Sequence, residues 1–188
     1  MSASDCVAAG YDSLGESAAT PLMEQWDGSE WSIMSSADLP GIDSVGLSGV
    51  SCLSAIDCLA VGNDTYGDDT VEGTIVEQWD GSTWSLVNSP NTAADSASTQ
   101  LAGISCLSTS DCTAVGYFDS ADGAQIVAST LVEQWDGTAW SLVTSPDPFT
   151  NGQIIDDDAL LAVSCVSAAD CTAVGYDGRA PLIEQSTG

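Results

Sequence analysis

The sequence predicts an all-β chain built from a repeated four-stranded antiparallel unit, and three observations predict it. One paragraph recurs at a nearly fixed period: Trp26 to Trp79 spans 53 residues, Trp79 to Trp135 spans 56, and Cys112 to Cys171 spans 59. The apolar runs are short, rich in β-branched and aromatic residues and bounded by turn formers, and helical periodicity is absent. The cysteines fall into pairs of identical spacing, Cys52/Cys58, Cys106/Cys112 and Cys165/Cys171. A period of this kind marks a supersecondary unit that buries its apolar face only against its neighbours. The array is therefore read before any single residue.

Within one unit the strands follow in order. Gly49-Val50-Ser51-Cys52 is short with small residues, and Cys58-Leu59-Ala60-Val61-Gly62 ends on glycine. Thr74-Ile75-Val76-Glu77-Gln78-Trp79 is β-branched, and Trp84-Ser85-Leu86-Val87 alternates as a fourth strand. Between the last two stands Asp80-Gly81, a strong hairpin signal, and Ser89-Pro90 closes the unit. The 188 residues divide into a partial unit at 1–46, full units at 47–100 and 101–160, and a partial unit at 161–188, about 3.5 repeats of ~55 residues. Four antiparallel strands at this period read as a β-propeller-like array of blades. Three strands in the first unit, four in each full unit and three in the last leave the ring incomplete. Open ends of that kind expose unpaired strand edges, so self-association, or pairing with the remainder of a longer repeat chain, is expected.

Each cysteine pair brackets a short polar link between two apolar runs, which places the thiols at facing ends of a hairpin. A disulfide fits there, and closing so small a loop contributes about 2 kcal/mol in the chain-entropy model. Zinc competes only if two repeats pool their thiolates, since the chain has no histidine. Regular disulfides imply an oxidising compartment, extracellular or at the cell surface. Cys6 aligns with the second member of a pair whose first member would fall before Met1, so it is read as a free thiol in a chain cut from a longer array.

The charge balance is extreme: 28 carboxylates face one cation, Arg179, for a net charge of -27. Such a field repels phosphate backbones and acidic lipid, which excludes nucleic acid as a partner. No apolar run is long enough to span a bilayer, so membrane insertion is not expected. Without histidine or lysine, Ser-His-Asp and Cys-His catalysis and Schiff-base chemistry are unavailable. Paired carboxylates could still hydrolyse glycosides. Yet Glu24, Glu77, Glu133 and Glu184 share one repeat position, which points to a structural role against a neighbouring unit or on a solvated face. The pairs Trp26/Trp31, Trp79/Trp84 and Trp135/Trp140 read as packing between units, although stacked tryptophans can also bind sugar rings. Asp5, Asp57, Asp111 and Asp170, each before a cysteine, are expected to accept local backbone hydrogen bonds.

Two features are not repeated and are the better candidates for function. Asn63 to Asp69 and Tyr117 to Gly123 read as variable acidic loops on one face, together with Asp156 to Asp158. Asp64, Asp68, Asp69, Asp119 and Asp122 offer oxygens that suit Ca²⁺, although a solvated acidic face is the favoured reading of the same residues. No cofactor is required otherwise. Asn63-Asp64-Thr65 also fits an N-glycosylation sequon. Tyr11, Tyr117 and Tyr176 are candidate ligand-binding residues for a glycan.

Ala60-Val61-Gly62, followed by Val76-Glu77-Gln78-Trp79-Asp80-Gly81-Ser82-Thr83-Trp84 and Ser89-Pro90, resembles kelch-type blades. The Asp-Gly-x-x-Trp segment is similar to a shortened Asp-box hairpin, and with the cysteine pairs the pattern resembles a group of secreted bacterial repeat proteins. The resemblance implies a propeller and no particular chemistry. It does not carry sialidase activity, because that family grips its substrate with an arginine cluster and this chain has Arg179 alone. The expected function is a non-enzymatic scaffold or adhesion module, with a glycan-binding propeller as the alternative and a carboxylate glycosidase behind both.

Overall fold

The computed structural model describes residues 5–13, 18–66, 71–90, 96–122, 125–146, 158–178 and 180–186. They form fourteen strands in four antiparallel sheets, with no helix among them. The first sheet holds β1 (Cys6–Asp12), β2 (Thr20–Trp26) and β3 (Trp31–Met34). The second holds β4 (Ser44–Ser54), β5 (Asp57–Tyr66), β6 (Val71–Trp79) and β7 (Trp84–Val87). The third repeats it as β8 (Ser96–Ser108), β9 (Asp111–Asp122), β10 (Gln125–Trp135) and β11 (Trp140–Val143). The fourth holds β12 (Asp158–Ser167), β13 (Asp170–Asp177) and β14 (Ala180–Gln185). In every sheet the strands pair in chain order as a meander.

The short fourth strands begin and end where the sequence places them, because alternation and an Asp-Gly turn fix both limits. The first three strands are longer than expected. Asn63 to Tyr66 continue β5 and pair with Val71 to Thr74 of β6, while Tyr117 to Asp122 continue β9 against Gln125 to Thr130 of β10. The segments expected as acidic loops are thus largely hairpin ladder. Thr and Tyr favour the pleat, and an antiparallel pair already in register extends at little further entropic cost.

Neighbouring sheets pack in chain order, first on second, second on third and third on fourth. Their leading strands β4, β8 and β12 lie against one another. There the backbones approach closely: a Cβ on Gly49 would lie 3.3 Å from the Cα of Gly103, and one on Gly103 would lie 3.1 Å from the Cα of Ala162. These three residues share one repeat position, beside a bulge in each leading strand.

Each middle sheet is covered on both faces, so Leu59, Ala60 and Val61 of β5 are all buried despite their alternation. Ala60 and Cys58 join Met23, Val45, Leu47, Ile75 and Trp84 in a core between the first two sheets. Leu59, Val61 and Val76 join Leu101, Ala114, Leu131, Trp135 and Trp140 between the second and third. A smaller core of Val115, Leu160 and Ala173 lies between the third and fourth.

Glycine is required where the second strand of each unit crosses the first. A Cβ on Gly62 would fall 2.0 Å from the Gly46 carbonyl oxygen, and one on Gly116 would fall 1.8 Å from that of Gln100. Gly10, at the same position in the first sheet, has open space around it. The described first sheet has no strand where Gly46 and Gln100 lie in the next two.

Candidate functional site

The three spaced cysteine pairs are disulfides, Cys52–Cys58, Cys106–Cys112 and Cys165–Cys171, each with a Cα–Cα distance of 4.0 Å. Each joins directly opposed residues of the first two strands of its unit. Cys6 is a free thiol, half-buried on β1. Disulfides of this kind are typical of extracellular proteins. No described helix is long and apolar enough to cross a membrane. Two of the three hairpin turns beside the disulfides are closed by serine, not by the aspartates expected. Ser54 Oγ accepts from the Ile56 N–H at 3.3 Å, and Ser108 Oγ accepts from the Ser110 N–H at 3.3 Å. A serine before the turn reaches forward to these amides.

The acidic candidates separate. Asp64 is buried on β5 and its Oδ1 accepts the Gly73 N–H at 3.1 Å, a cross-strand bond that stabilises the hairpin extension. Asp119 lies on β9 opposite Ser98 and Ala128, and Asp122 ends that strand opposite Gln125. Asp68 and Asp69 lie outside the described residues, as do Asp156 and Asp157. Among the described residues no group of three or more His, Cys, Asp or Glu is placed to hold a metal ion.

Tyr11, Tyr117 and Tyr176 follow the crossing glycine in three different units, so they share a repeat position on separate sheets. Tyr117 donates its hydroxyl to Gln100 Oε1 at 2.9 Å. Tyr11 and Tyr176 are exposed.

Two of the repeated glutamates are the most deeply buried acidic groups among the described residues. Glu77 and Glu133 are fully buried, each on the third strand of its sheet and each reached by the segment that closes the preceding unit. Ala37 N–H donates to Glu77 Oε2 at 3.0 Å, and Ser89 Oγ donates to Glu133 Oε2 at 2.6 Å while itself accepting from Thr74 Oγ1 at 2.9 Å. Ser145 donates to Glu184 at the next junction in the same way. Burial pushes the Glu133 carboxyl up to about 7, against the opposing pull of Ser89. Burial also raises Glu77, against the Ala37 N–H. The Oε1 atoms of Glu77 and Glu133 are buried without a hydrogen-bond partner. These carboxyls are therefore struts between units.

The exposed turns show the opposite electrostatics. The Ser82 hydroxyl, then the Thr83 and Ser82 N–H groups, hold Asp80 down to about 2. Ser29 and Thr138 hydroxyls, with adjacent amides, lower Asp27 and Asp136 likewise.

A second strut went unread in the sequence. Ser51 Oγ accepts the Cys106 N–H, and Ser105 Oγ accepts the Cys165 N–H, both at 3.1 Å. The serine before the first cysteine of each unit thus holds the first cysteine of the next. The repeated Ser-Cys dipeptide carried that signal, and only the stacking order gives it meaning.

The tryptophans complete the junctions. Each pair tilts with ring centroids 5.6 to 5.7 Å apart. Trp79 and Trp135 donate their indole N–H to the carbonyls of Ala55 and Thr109, at 3.1 and 3.0 Å. Trp135 and Trp140 pack on Leu59, Val61 and Val76 of the preceding sheet. The equivalent surface of the third sheet is Thr113, Val115 and Val132, and it lines a cavity of about 490 Å³. Its far wall includes Val163, Ala168, Ala173 and Ser186 of the fourth sheet. Ser186 stands where the third sheet has Trp135, and Ala168 where it has Thr109. No known protein family and no curated protein matches the chain.

Proposed function

We propose that the chain is a non-enzymatic, extracellular or cell-surface repeat scaffold or adhesion module. Its sheets are the blades of a propeller-like, incomplete ring of kelch-like or Asp-box-like kind, and it assembles through its open ends. The observation that carries this reading is the repetition of the struts. Glu133 and Glu184, which could have served as catalytic carboxyls, instead take serine hydroxyls from the preceding unit. Carboxylates consumed in this way hold geometry, and the disulfides stiffen each unit for use outside the cell.

Assembly works against a charge of -27. Salt screens that repulsion, and Ca²⁺ as a counter-ion would act at lower concentration. Light scattering across a salt series is the test. The expected result is a mass that rises with salt, and rises further with Ca²⁺ at constant ionic strength. A compact monomer at every concentration of salt and Ca²⁺ would remove the assembling scaffold.

Exposure of Tyr11 and Tyr176 favours a second reading, a glycan-binding propeller. Flat aromatic faces on a rigid sheet suit sugar rings. Saturable binding on a glycan array, weakened by Tyr176→Ala, would replace the scaffold reading with this one.

A further inference from the structure

Exposed apolar residues in a repeat array are of two kinds. Ile33, Leu86 and Leu142 share one position and are exposed in all three units, so they belong to an outer rim. Trp31 differs, being 48% exposed where Trp84 and Trp140 are 5% and 6%. At the other end of the array Val174 is 43% exposed, where Val61 is 0% and Val115 is 1%. Ile183 is 68% exposed, where Val76 is 0%. These residues are uncovered only because they face outward from the first and fourth sheets.

The two end faces are complementary by construction. At the first two internal junctions the fourth-strand tryptophan of one sheet packs on the second- and third-strand aliphatics of the sheet before it, as Trp140 does on Val61 and Val76. Trp84 packs likewise on the first sheet, in the core that contains Met23 and Ala9. Trp31 is the same tryptophan without a preceding sheet, and Val174 with Ile183 is the same aliphatic surface without a following one.

We propose that the face of the fourth sheet formed by Val174 and Ile183 receives Trp31 from the first sheet of a second copy of this chain, head to tail. The inference rests on the assembling-scaffold reading and names its contact. The joint uses different patches on the two partners, so it propagates as an open filament, or as a ring if the rotation closes. Its polar struts are incomplete, because the described first sheet offers no leading strand to the Ser164 hydroxyl, the counterpart of Ser51 and Ser105. Apolar contact therefore carries it. Two copies that each carry a net charge of -27 repel one another, so the joint needs screening by salt.

Complementation of two end variants tests the proposal. Trp31→Ala removes the donor, Ile183→Ser removes the receiver, and neither lies in an internal core. In salt that associates the wild type, each variant alone should stay monomeric to at least about tenfold higher concentration. Mixed in equal amounts they should give a heterodimer and nothing larger, since one intact joint remains and both outer ends are blocked. Circular dichroism and a count of one free thiol establish the fold. If either variant loses it, Trp31→Gln and Val174→Ser replace the pair. Wild-type association with variants that associate equally well overturns this joint and leaves the scaffold reading standing. Monomeric variants that stay monomeric on mixing also overturn it. A wild type that is monomeric in all salt removes both.

Discussion

The junction between the second and third sheets and the junction between the third and fourth start from the same surface and end differently. In the former, Trp135 and Trp140 fill the space above Leu59, Val61 and Val76. In the latter, Thr113, Val115 and Val132 face a cavity of about 490 Å³. Both nevertheless keep the serine strut, Ser51 to Cys106 in one and Ser105 to Cys165 in the other. Both keep the glutamate strut, Ser89 to Glu133 and Ser145 to Glu184. The stacking register is thus set by a few directional hydrogen bonds and by the backbone contacts at Gly49, Gly103 and Ala162. The tryptophans add burial to a register already defined.

The comparison breaks first at the crossing glycines. Gly116→Ala forces a Cβ into the Gln100 carbonyl, a backbone clash that no rotamer relieves, and should abolish the native fold. Gly10→Ala meets open space and should change stability by less than about 0.5 kcal/mol. Thermal melts of the two proteins check this pair, and equal losses would mean that the first sheet is covered where Gly10 lies.

Trp140→Ala moves the filled junction part of the way toward the open one, leaving Trp135 in place. It should cost about 3 to 5 kcal/mol in urea unfolding, the usual range for emptying a buried aromatic site. A loss below about 1 kcal/mol would mean that the tryptophans add little to what the struts hold.

The glutamate strut is sharpened by pH. Unfolded Glu133 titrates near its ordinary 4.5, whereas burial holds the native carboxyl at about 7. Between those values the native state binds the extra proton, so its contribution is full below pH 4.5 and is lost as pH rises through 7. The loss is about 3 kcal/mol for a shift of this size. Glu133→Gln keeps an acceptor for Ser89 and removes the titration. Its stability should therefore be flatter than the wild type's across pH 4.5 to 7, and parallel curves would show that Glu133 ionises freely in the native state.

The smallest expected effect is a gain. Ser186→Trp restores the residue found at Trp135 and points an indole N–H toward the Ala168 carbonyl, as Trp135 does to Thr109. It loses the bond from the Cys171 N–H to Ser186 Oγ at 2.9 Å. The net gain from filling the cavity should be about 1 kcal/mol, read from the unfolding midpoint.

Much of the architecture was legible in the sequence and little of the site was. The fourth strands Trp84–Val87 and Trp140–Val143 were read to the residue, because alternation and turn chemistry are local. The count of three, four, four and three strands followed from the repeat. The extensions of β5 to Tyr66 and β9 to Asp122 were read as loops, since polar residues past a glycine carry no apolar alternation even when a ladder pairs them. The struts were hidden for another reason. Ser89 and Glu133 lie 44 residues apart, and Ser51 and Cys106 lie 55 apart. Only the stacking order brings them together. Asp64 stood out for its oxygens alone, and the bond that its Oδ1 accepts from the Gly73 N–H depends on a strand extension that carries no signal in the sequence.

The central claim is that the glutamate strut recurs at every internal junction and that the described array is open at both ends. Hydrogen exchange at low salt, where copies stay apart, compares equivalent strands directly. The amides of β10 that face β11 should exchange slowly, and the outward amides of β14 should exchange at rates close to those of unstructured chain. Outward amides of β14 as protected as those of β10 would contradict the account, because a strand pairing within the monomer would then already cover that edge.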